Sequence, residues 1–94
     1  MTFNQIWRQV KENFDLPTLA KELNTLRDEL QKSSKTAQDY SELDAIASAE
    51  IEAQKGDGRK ALSALAKAGK WALSVAEKIG VGVATAAIKT ACGL

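Results

Sequence analysis

Hydrophobic residues recur every three or four positions along most of this chain, the period of a helix with one buried face. Phe3, Ile6, Trp7, Val10 and Phe14 form the first stripe, with Asn4, Arg8, Lys11 and Glu12 opposite, and predict a helix over 3–14. Pro17 then holds Leu16 in extended geometry and suits the first turn of a second helix. That helix is predicted over 17–32, where Leu16, Leu19, Leu23, Leu26 and Leu30 alternate steps of three and four. The stripe is short for a lasting coiled coil, so it reads as one helix of a compact bundle. The polar run QKSSKT breaks it. Thr36 followed by Asp39 has the chemistry of a capped start, a hydroxyl for the orphan amides and an acid at the positive end. It predicts a third helix over 36–54. Tyr40, Leu43, Ala47 and Ile51 line one side of it, with Ile46, Ala49 and Ala53 beside them, and five acids fill the rest.

KGDGR is the clearest punctuation. Gly56 can take the left-handed position that closes one helix, and Asp57 can cap the next. The joint resembles a fragment of a tetratricopeptide-type helix pair, but no second copy of it is present, and stacked repeats take about three. A fourth helix is predicted over 58–92, alanine-rich and increasingly apolar, with a kink expected at Gly80 and Gly82, where IGVGV interrupts the pattern. Read in steps of four, Ala64, Ala68, Ala72, Ala76, Gly80 and Ala84 are all small. Such a ridge admits another backbone closely. The expected architecture is therefore all-α, one domain of about four helices with a long C-terminal helix. That helix would outrun its neighbours, so it either folds back at the glycines or finds apolar surface on another chain. The second alternative is the stronger expectation. It nominates Ala76, Ile79, Gly80, Val83, Ala84, Ala87 and Ile88 as an interaction surface.

Charge adds a polarity to this picture. Residues 1–54 hold ten acids and six bases, a balance of −4, and residues 55–94 hold two acids and seven bases, a balance of +5. The halves can attract within one chain or between copies. Lys60, Lys67 and Lys70 form an alternative basic face along the fourth helix. Only one base of the local group, Arg59, is an arginine, and the expected meaning is a solvated edge rather than a nucleic-acid site. Cys92 is the single cysteine, so no internal disulfide forms. The start lacks the apolar centre of a secretory signal, and no uninterrupted apolar run is long enough to cross a bilayer.

Candidate chemistry is thin. There are no histidines among the 94 residues, which excludes a histidine-based triad, and no cysteine cluster suggests zinc. GDGRK and IGVGV match neither a P-loop nor a dinucleotide fingerprint. Glu50 and Glu52 diverge on a helix and cannot act as a carboxylate pair. No catalytic, cofactor-binding or metal-binding residue is nominated, and no enzyme is expected.

The run AEIEAQKGDGRKALSALAKAGKWALSVAEKIGVGVATAAIKTA resembles a small helical accessory or adaptor module of bacterial defence and repeat-domain proteins. Gly56–Asp57, Ala61–Leu62, AGKWAL over 68–73 and IGV over 79–81 carry the likeness, which covers the second half of the chain. The resemblance implies an adaptor or oligomerisation role in a bacterial cytoplasm and brings no catalytic residues. The functional expectation is a non-enzymatic interaction or oligomerisation module acting through its C-terminal helix, with self-association or a protein partner. The rival is a membrane-active protein, because lysines edge the same helix and Trp71 could anchor at an interface.

Overall fold

A computed structural model describes residues 15–93, so the stripe expected over 3–14 lies outside the described residues. Each of the first helices begins where local chemistry satisfies its orphan amides. α1 (Leu16–Ser33) follows Asp15, whose Oδ2 accepts from the Thr18 backbone N–H at 3.1 Å, with Pro17 in the first turn. α2 (Ala37–Gln54) opens on a reciprocal capping box between Thr36 and Asp39. Gly56 closes α2 at φ +80°, a left-handed position that disfavours any side chain. Asp57 caps α3 (Gly58–Leu65) by accepting from the Lys60 N–H at 3.1 Å.

The long C-terminal helix expected over 58–92 is three helices. α3 ends at Leu65, α4 spans Lys70–Ile79 and α5 spans Gly82–Cys92. The first break is a tightened turn, with Lys67 N–H donating to Ala64 and Ala68 N–H to Leu65, three residues back, at 3.0 Å each. The second sits at Gly80, whose φ of +78° ends α4 and turns the chain back. An unbroken helix over 58–92 would measure about 52 Å, whereas the fold is 35 Å in its longest direction. The described residues thus form five helices rather than the expected bundle of about four.

α1 and α2 pair along their length, α3 packs back on α2, and α4 and α5 close over α1 and the edges of α2 and α3. Leu19, Leu23, Leu26 and Leu30 of α1 meet Ile46 of α2, Leu65 of α3 and Ile88 of α5 in one core. Between them lie alanines: Ala45, Ala49, Ala53, Ala61, Ala72, Ala76, Ala84 and Ala87 are all buried. Of the small ridge read from the sequence, Ala68, Ala72, Ala76 and Ala84 therefore act inside the chain, bringing α4 and α5 close to their neighbours. In α2 the same logic selects the inner face. Ala45, Ala49 and Ala53 allow a near approach, so this side turns inward with Ile46 and carries Glu42 and Glu50 in with it. The stripe of Tyr40, Leu43, Ala47 and Ile51 is left on the outer side.

Candidate interaction surface

The surface expected from the tail is mostly interior. Ala76, Ala84, Ala87 and Ile88 are each 0% exposed, and Ile79 and Val83 are half-buried. Gly80 is exposed, at the lip of a shallow groove between α4 and α5 that the Glu77–Lys89 ion pair, at 3.9 Å, spans. Once Gly80 turns the chain back, the apolar tail is covered by α1, α3 and α4. Lys60, Lys67 and Lys70 are all exposed, but the breaks distribute them over the first turn of α3, the α3–α4 turn and the first residue of α4. Lys60 pairs with its own cap, Asp57, at 4.0 Å, and Lys67 lines a groove with Ser41, Asp44 and Ser48. The single basic edge of a continuous helix does not exist.

Two carboxylates perform a task that local sequence could not reveal. The cap positions before α4 and α5 are Gly69 and Val81, neither of which offers a capping side chain. Glu42, on α2, reaches across and accepts from the Ala72 N–H at 3.1 Å, while itself only 4% exposed. Glu22, on α1, accepts from the Ala84 N–H at 3.0 Å. Both place negative charge at the positive end of a helix. The acidic half and the basic half are thus joined within one chain, partly through helix ends rather than through lysines. Gly69 is where Glu42 is admitted, because a Cβ at that position would collide with its carboxylate.

Glu50 is the second buried acid, at 6% exposure. Arg27 Nε donates to it at 2.6 Å, Asn24 at 2.9 Å and Gln54 at 3.3 Å, so both oxygens are satisfied and the group fastens α1 to α2. Glu52 pairs instead with Lys55 at 3.7 Å. The two acids diverge, as their spacing requires. Cys92 directs its thiol at carbonyls at the end of α3 and in the turn after it, with Sγ 3.6 Å from Leu65 O and 3.5 Å from Ala68 O. Burial pushes its pKa up from the ordinary thiol range, which holds it as a neutral donor rather than a nucleophile.

What stands open is the outer side of α2. Among the described residues, Tyr40 at 57% and Ile51 at 51% are the exposed large hydrophobic side chains. Between them Ala47 is half-buried, and Leu43, also half-buried, packs in part against the core. The four positions follow the i, i+3, i+7, i+11 spacing of one helical face and extend about 16 Å. α2 bears five acids and no base. The stripe was visible in the sequence, but its exposure was not, because the inner and outer faces of α2 are similarly apolar. No protein-family model, curated protein or solved structure matches this chain.

Proposed function

We propose that this protein is a small non-enzymatic interaction module that receives an amphipathic helix on the outer face of α2. The observation that carries the reading is the line from Tyr40 to Ile51, exposed at both ends and half-buried at Leu43 and Ala47, on a helix whose other side is already committed to the core. Helices are recognised this way through apolar anchors at i, i+3 or i+4 and i+7 laid along a complementary face. An occupant with a basic residue beside its anchors suits Asp44, the exposed acid at the edge of the stripe. Four of the seven residues of the expected C-terminal surface are wholly enclosed.

A model peptide tests the reading: a designed helix with leucines at i, i+3, i+7 and i+11 and lysines elsewhere, titrated into isotope-labelled protein. Amide shifts confined to the outer positions of α2 and the adjoining edge of α1, and lost in Ile51→Glu, are expected. Shifts spread over α4 and α5, or none at all, overturn it. Ile51→Glu should preserve the fold because half of that side chain already faces solvent.

A further inference from the structure

The line on α2 carries its own complement. Tyr40, Leu43, Asp44 and Ala47 stand at i, i+3, i+4 and i+7, the four corners of a hole that takes one side chain from a facing helix. One turn further along the same face stands Ile51, branched and 51% exposed. Hole and knob thus lie on one surface. We propose that this face pairs with the same face of a second copy of the chain, α2 against α2, antiparallel about a two-fold axis. This rests on the reading that the face receives an amphipathic helix, and it names that helix.

The register follows from the spacing. The hole is centred between Leu43 and Asp44. Seating Ile51 of the second copy there puts the two-fold axis close to Ala47. The same operation carries Ile51 of the first copy into the hole of the second, as a two-fold contact requires. The residue nearest the axis is small, so the two backbones can approach closely. Lys55 of one copy then falls opposite Tyr40 of the other, whose ring is 57% exposed, and one turn from Asp44. Asp44 is exposed and enters no ion pair among the described residues. Lys55 rests against Glu52 of its own chain at 3.7 Å, but its side chain is 64% exposed and an ammonium has three donors to share. A parallel pairing would set each charge beside its own copy, acid on acid and base on base. The antiparallel one sets acid beside base twice. A foreign helix is not needed to explain a face that supplies both knob and hole and both charges. The contact is about 16 Å long on each copy, which falls short of the roughly 1,200 Å² buried in stable complexes. Single chains and pairs therefore exchange, and the face stays accessible to other helices.

Light scattering over a concentration series of the full chain tests the pairing. The mass is expected to climb from one chain towards two. Ile51→Glu should weaken association about tenfold or more, with circular dichroism unchanged. Charge reversal tests the register. Asp44→Lys alone and Lys55→Asp alone should each associate less than the native chain. An equimolar mixture of the two should associate more than either, because every charge contact across the axis is again between opposites. Where a charge variant loses helical signal, Ala47→Cys on a Cys92→Ser background reads the register instead. It should form a disulfide-linked pair under mild oxidation, since the two Ala47 positions face each other at the axis. Three results overturn the proposal: the mass of one chain at every concentration, association indifferent to Ile51→Glu, or a register test that fails. If the native chain stays single and the model peptide still seats on α2, pairing fails while the helix-receiving face stands. If the peptide fails too, both fall.

Discussion

Gly69 and Glu42 are coupled through space, and the coupling can be measured. Glu42→Ala removes the acceptor from a buried amide at Ala72, and an unsatisfied buried donor costs about 1–3 kcal/mol. Gly69→Ala should destabilise by displacing the same carboxylate. The double variant should lose less than the two single losses combined, since a displaced cap cannot be lost twice. Urea unfolding of the four proteins closes the cycle, and strict additivity would show that Glu42 moves aside freely. Cys92 offers a pH test. Its folded pKa is raised by burial, so its contribution is present at lower pH and is lost as pH rises through the folded value. A Cys92→Ser comparison in alkaline solution should show the native chain losing more stability, and alkylation of the folded thiol should lag behind that of the unfolded chain. None of this was legible residue by residue. Glu42 and Ala72 stand thirty positions apart, and the one local trace was a helix opening on Gly69 with no cap of its own.

At the scale of elements, legibility followed how local the determining chemistry is. The bounds of α1 and α2 differ by about a residue from those expected, because Asp15, Pro17, Thr36 and Asp39 act within one turn of themselves. The division of the last helix was hidden because Ala66, Lys67 and Ala68 are all good helix formers, and tertiary packing of Ala68 and Gly69 against α2 decides the break. Gly56 and Gly80 mark the joints that conformation does fix, at φ +80° and +78°. Open space surrounds both, with nothing within 4 Å of a Cβ, so a substitution there acts through the backbone alone. Gly56→Val is expected to cost about 1–3 kcal/mol, and Asp57→Ala about 0.5–2 kcal/mol through loss of the cap. Thermal melts check both, and an unchanged melt in Gly56→Val would mean that the turn has another conformation.

At the scale of the molecule, the apolar ending folds back on its own chain. The expectation of an outward-facing tail rested on length, since a single helix over 58–92 would have extended past every neighbour. Two breaks remove that length, and Ala84, Ala87 and Ile88 then supply part of the core against α1 and α3. Among the described residues no helix is long and apolar enough to cross a membrane. The tail should therefore behave as core under mutation. Leu65→Ala, at a site with 0% exposure, is expected to cost about 2–5 kcal/mol. Ala84→Leu should destabilise the single chain through overpacking, with no change in its mass. Deleting residues 82–94 is the stringent case. It removes three wholly buried side chains and the amide that Glu22 caps, and it uncovers the faces of α1 and α3 on which α5 packs. We expect the shortened chain to lose its cooperative melt and most of its helical signal in circular dichroism. A truncated chain that stays folded and melts cooperatively would show that α1 to α4 suffice, and would return the tail to the surface as a segment available to other molecules.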